Sequence, residues 1–230
     1  MVWHDQCIYT LKVIGCMPED RGGVVIPFFE EGGYRFGVVT TRARHMQIQS
    51  LVRQRYAERG YDSHGREPNA PGDCSYKLAA TLGDIAVATM TIRLDSGLGL
   101  LADNLYRNEL DHLRKSGTSL CELTKFAIAP SHNSATLMNG LIRLAHWIAV
   151  KGHGATDIVI EVNPRHVGYY VRQFAFSPIG EKRHCDRVNA PAILLHRPLN
   201  TSPESAKRQS HLWNSVKVHQ ADQFESPRVS

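Results

Sequence analysis

Between residues 120 and 162 the chain runs through an apolar strand-length segment, an amphipathic helical segment and a second apolar strand-length segment. Leu120, Cys121, Leu123, Phe126, Ala127 and Ile128 make up the first strand, which is closed by Pro130, a residue that cannot donate to a ladder. Leu137, Leu141, Leu144, Ala145 and Ile148 then recur at helical spacing, with Asn133 or Ser134 as cap and Gly152 as stop. Residues 155–162 form the second strand. A helix set between buried strands has to lie against a sheet, so purely helical and purely β architectures are excluded.

The flanking segments extend the alternation. YRFGVVT at residues 34–40 reads as a strand after the Gly32-Gly33 break, and a helix is expected over about 42–59, ended by Gly60. The polar, Pro- and Gly-rich segment 63–74 is a loop. Residues 76–81 and 86–94 form a hairpin-like pair about Gly83-Asp84, followed by a helix over 102–115. Pro164 opens a short helix carrying Val167, Tyr170, Val171 and Phe174, and 176–180 and 191–196 supply two last short strands. The order of elements implies an α/β (α+β) mixed sheet with helices on both faces.

Composition narrows the functional classes. A net charge of +5 suits an acidic partner, but the basic residues are dispersed and no basic stretch is interleaved with aromatics, which argues against nucleic-acid binding. The twelve histidines form no HxxxH or HExxH, so no metal site is expected. The five cysteines are odd in number and show no CxxC spacing, as suits a reducing cytoplasm. No run approaches 18 apolar residues and Asp5 interrupts the N-terminus, so neither a membrane span nor a secretion signal is expected.

Two charges, Glu122 and Lys125, stand inside the apolar strand 120–128, and Arg93 stands inside the equally apolar TMTIRL. A buried charge is costly unless paired, so these residues either form a structural ion network or carry a site. Strict alternation puts Glu122 and Lys125 on opposite faces, because they are three residues apart.

The segments RQRYAERGY (53–61), CELTKFAI (121–128), NPRHVGYYVRQFAFSPIGE (163–181) and NAPAILL (189–195) together resemble the N-acyl amino acid synthases that take a fatty acyl chain from acyl carrier protein. ELTKF also resembles the E-x-S-R-F stretch of the related acyl-homoserine-lactone synthases. The resemblance implies a GCN5-related N-acyltransferase-like fold, in which two central strands splay apart to admit a pantetheine arm. It also implies an acyltransferase domain over 34–198, with an N-terminal extension (1–33) and a disordered tail (199–230).

The function implied is transfer of a long acyl chain from the phosphopantetheine of acyl carrier protein to the amine of an amino acid, with no tightly bound cofactor. APSHNSATLMN (129–139) lacks the glycines with which coenzyme-A-dependent relatives approach a pyrophosphate, which favours the carrier protein. Arg42, Arg44, Arg143 and Lys151 are candidate docking charges. The alternatives are a homoserine-lactone synthase using S-adenosylmethionine and a non-catalytic module that binds the carrier protein.

The resemblance assigns roles residue by residue. Glu122 would be the base that deprotonates the amine, and a strand bulge would bring Lys125 to its side. The amides of Phe126, Ala127 and Ile128 would stabilise the oxyanion, and Tyr170 would protonate the leaving thiolate. Arg93, Lys125, Tyr56, Tyr61, Asp62 and His166 would contact the acceptor. For the tyrosines and His166, plain packing is the competing reading.

Overall fold

The computed structural model describes residues 28–61, 73–132 and 134–199. The sequence expectations for the segment before residue 28, the loop up to residue 72, Asp62, and the tail beyond 199 lie outside the described residues.

One nine-stranded sheet organises these residues. Its strands are β1 (Phe29–Glu31), β2 (Tyr34–Val38), β3 (Ser75–Leu82), β4 (Ile85–Leu94), β5 (Leu120–Ile128), β6 (Asp157–Val162), β7 (Ser177–Pro178), β8 (Arg183–Cys185) and β9 (Ala190–Pro198). Their spatial order is β1-β2-β3-β4-β5-β6-β9-β7, with β8 paired to β9. The sheet is mixed: β5 and β6 run parallel and the other pairs are antiparallel. That parallel pair requires a crossover, which α3 (Ser134–Trp147) and the π-turn Ile148–Gly152 provide.

Helices cover both faces. α1 (Arg42–Ala57) buries Leu51 and packs Ile48 against Val39, Ala79 and Ala86, and α2 (Asp103–Lys115) packs Tyr106 and Leu110 on Leu120, Val159 and Leu194. On the opposite face, Leu137, Leu141, Leu144 and Ile148 of the crossover share a core with Phe36, Leu78, Ile92 and Cys121, joined by Phe174 of α4 (Val167–Phe174). Gly140 lets α3 approach β2 closely, since a Cβ there would stand 2.2 Å from the Phe36 ring.

The hairpin is as expected: β3 and β4 turn at Gly83-Asp84. Two differences concern edges. The sheet starts before Tyr34, because Phe29 stacks on Phe36 at 4.8 Å and carries β1 with it. The polar RHC becomes β8 only by pairing with β9, a tertiary contact with no local apolar signal. Arg143, expected as a surface docking charge, is 6 % exposed, lies over Phe29 and pairs with Glu31, so it braces the β1 edge instead. No helix among the described residues is long and apolar enough to cross a membrane.

Candidate active site

The site originates in a local failure of strand pairing. β5 pairs with β6 from Leu120–Asp157 to Leu123–Ile160 and no further. Beyond that point β5 follows β4 out to Ile128 while β6 follows β9 out to Val162, so the two strands part. The divergence coincides with a bulge. Three steps from Thr124 to Ala127 face two from Thr91 to Thr89, and Lys125 takes a left-handed φ of 53°. The alternation resets there: Cys121 and Leu123 pack in the α3-side core, and so do Phe126 and Ile128.

A cavity of about 500 Å³ threads the gap and reaches both faces of the sheet. On the α3 face its wall is mainly apolar, with Met90, Leu123, Phe126, Ile142, Ile160 and Phe176. On the other face the wall carries Tyr56, Arg59, Tyr61, Leu101, Glu161 and Arg187. The opening therefore joins a greasy compartment to a charged one, an arrangement suited to bringing an acyl thioester to a polar nucleophile.

Glu122 is fully buried beside this charged compartment. Its Oε2 accepts from the Leu101 amide at 2.7 Å, and its Oε1 has no hydrogen-bond partner among the described residues. Burial, reinforced by the charge of Glu161, pushes its carboxyl up to about 8, against the opposing pull of the Leu101 amide and the cations Arg187 and Arg93. The Leu100-Leu101 turn above it is fixed by Arg114, which binds Asp95 and Asp103 at 2.7 Å each, while Asp103 also accepts from the Leu100 amide at 2.7 Å.

The structure brings together Lys125, Phe126, Tyr56, Tyr61, His166 and Tyr170, all of which line the cavity. Tyr56 and Tyr61 meet edge to face at 5.9 Å, and Arg165 donates to the Tyr61 hydroxyl at 2.5 Å. Burial lowers the pKa of His166 and raises that of Tyr170 to about 12. Tyr170 is a cavity residue that also packs edge to face on Phe176.

Three expected placements change. Glu122 lies behind the wall rather than on it, bonded to the Leu101 amide, while Leu101 and Glu161 line the space. Arg93 stands opposite Glu122 in the ladder, forms an ion pair with Asp73 at 3.0 Å and is absent from the cavity lining, so it acts on Glu122 through charge from behind the cavity wall. Ala127 pairs with Thr89, and the neighbouring Ala129 amide donates to Val87. Ladder alternation directs the Ala127 amide to β4 as well, leaving that of Ile128 toward the gap.

Glu161 and Arg187 were missed from sequence. Glu161 carried the same signal as Glu122, a carboxylate within the apolar DIVIEV, and Arg187 donates to it. Among the described residues no group of three His, Cys, Asp or Glu side chains is placed to hold a metal ion.

The family model for the N-acyl amino acid synthase FeeM matches residues 47–198. Among solved structures, FeeM, an N-acyl amino acid synthase from uncultured soil microbes, superposes with a TM-score of 0.66 at 23% identity, covering 72% of this chain and 92% of that one. Escherichia coli ElaA reaches 0.53 at 10% identity, over 70% and 98% of the two chains. An N-acetyltransferase from Lactobacillus plantarum reaches 0.53 at 13%, over 74% and 100%. None of the curated proteins matches the chain. These likenesses fix the GCN5-related N-acyltransferase fold, and with the family match over the splayed strands and their cavity they make the chain an acyltransferase that belongs to the FeeM N-acyl amino acid synthase family.

Proposed function

We propose that this acyltransferase moves a long fatty acyl chain from the phosphopantetheine of acyl carrier protein to the amino group of an amino acid. The observation that carries the reading is the single cavity through the β5–β6 gap, apolar on the α3 face and charged on the other. The acyl chain occupies the first compartment and the amino acid the second, so that thioester and amine meet at the gap. Arg59 and Lys125 supply cations for the acceptor carboxylate, with the Tyr56–Tyr61 pair beside them.

The amine must lose a proton to attack the thioester carbonyl. Glu161 on the wall passes that proton to Glu122, whose raised affinity near pH 8 matches an amine donor. The carbonyl oxygen gains charge as the C–N bond forms, and the gap-facing amides at Phe126 and Ile128 stabilise it. Collapse breaks the C–S bond, and Tyr170 gives its proton to the departing thiolate. Tyr170 lines the cavity, which puts it in reach of this step.

Two features support a carrier protein over coenzyme A. No glycine lies between Ala129 and Gly140, and the β1–β2 hairpin crowds the first turn of α3, with a Cβ at Gly32 falling 3.3 Å from Thr136 and Tyr34 bonded to His132 at 3.2 Å. A bulky pyrophosphate has little room there, whereas a phosphopantetheine arm brings none.

The test presents the same acyl chain on acyl carrier protein and on coenzyme A, each with the twenty amino acids, and identifies products by mass spectrometry. An N-acyl amino acid formed at least about tenfold more efficiently from the carrier protein is expected. Equal or better use of coenzyme A would defeat the donor assignment, and a lactone formed only with S-adenosylmethionine would replace the acceptor.

A further inference from the structure

Acyl transfer leaves one cavity charge unused. Arg197 stands on β9 opposite Ile158, is 5 % exposed, and lines the cavity on its α3 face beside Met90, Ile142, His146 and Leu199. Its Nη1 donates to the Phe174 carbonyl at 3.0 Å. Among the described residues its Nε and Nη2 are buried without a hydrogen-bond partner, and no carboxylate there forms an ion pair with it. Burial lowers its pKa, with no acidic neighbour offsetting the effect, and burial together with the Arg197 charge pushes His146 down to about 4, so the adjacent imidazole is neutral and offers no counter-charge.

A buried guanidinium without an anion is a costly feature, and removing the charge by deprotonation is not open to arginine. A plain hydrocarbon would make the cost worse, because it excludes water and supplies no acceptor. The two unengaged nitrogens share one edge of the guanidinium, the edge that holds both oxygens of a carboxylate through parallel N–H···O bonds.

We propose that the acyl chain accepted by this protein ends in a carboxylate, which docks on the Nε–Nη2 edge of Arg197 while the thioester lies in the β5–β6 gap. The inference rests on the acyl-transfer reading of the same cavity. Its donor class is the half-thioester of a long-chain dicarboxylic acid, the long acyl chain of the proposed function with a carboxylate at its far end. The gap opens beyond Ile160 while Arg197 stands at the level of Ile158, and the apolar walls between them call for a hydrocarbon spacer. The acceptor carboxylate is a poor occupant for Arg197, because Arg59, Lys125 and Tyr61 serve the other end of the cavity.

The experiment uses two pantetheine conjugates of equal chain length joined by a thioether, one ending in a methyl group and the other in a carboxylate. Their dissociation constants are measured with wild type, Arg197→Met and Arg197→Lys, and thermal unfolding establishes that each variant is folded. Wild type is expected to bind the carboxylate-ended conjugate about tenfold to a hundredfold tighter. The preference should vanish in Arg197→Met and survive in part in Arg197→Lys, which keeps the charge but not the paired donors.

Wild type binding the methyl-ended conjugate as tightly or more tightly overturns the inference, whatever the variants do. So does a preference that persists unchanged in folded Arg197→Met. The corresponding thioesters are then offered with amino acids. N-acyl products without a binding preference leave acyl transfer standing and the inference overturned, whereas a preference without products upholds the terminal-carboxylate site and removes acyl transfer.

Discussion

A carboxyl group whose acid form is favoured by burial leaves two signatures, one in rate and one in stability. Glu122→Gln keeps an oxygen for the Leu101 amide but cannot take a proton, and should lower kcat/KM for N-acylation by about 10²- to 10⁴-fold. Wild-type kcat/KM should rise with pH toward about 8, and this limb should be absent in the variant. For stability, the folded-state pKa lies above the unfolded value of 4.5. Below 4.5 both states hold the proton, and between 4.5 and about 8 the unfolded chain sheds it while the folded chain retains it. Wild-type stability therefore falls through that window, and urea unfolding at pH 5 and pH 8 should show a smaller decline for Glu122→Gln. Glu122 was legible in the sequence because a carboxylate interrupts a core strand. Glu161 carries the same mark within DIVIEV, whereas Arg197 stands beside Pro198, where a strand ordinarily leaves the core, and so gives no such signal.

At the scale of the element, β5 does two jobs at once. Its first half holds β6, and its second half leaves β6 to open the cavity, with the bulge at Lys125 between them. A non-glycine residue at a φ of 53° costs about 1–2 kcal/mol, so the bulge is maintained by its surroundings. Lys125→Gly and Lys125→Ala both remove the ammonium and should raise KM for the amino acid. Only the glycine variant relieves the backbone, and it should be about 1 kcal/mol more stable than the alanine variant in urea unfolding. Equal stabilities would mean that the bulge is unstrained. Strands, helices and the β3–β4 turn were legible because apolar periodicity and Gly83-Asp84 act locally. The bulge was expected only by resemblance, since nothing in CELTKFAI requires a left-handed lysine. β8 was not legible at all, because its pairing to β9 is a long-range choice made by polar residues.

For the whole molecule, topology explains why the site lies where it does. A parallel pair at the centre of an otherwise antiparallel sheet needs a crossover, and the crossover helix shields one compartment while α1 and α2 bound the other. The fold class followed from the order of elements, but the cavity did not, because the apolar residues around it read the same as core until the strands are seen to separate. On the proposed function, thioester cleavage and amide formation are one event at this gap, with its proton handled by Glu122. The most direct measurement follows free thiol release from an acyl carrier protein thioester alongside N-acyl amino acid formation, with and without the amino acids, in wild type and Glu122→Gln. The account predicts thiol and amide appearing one for one, dependence on the amino acid, and strong suppression of both in the variant. Thiol release that proceeds without amide, or amide formation indifferent to Glu122→Gln, would contradict it.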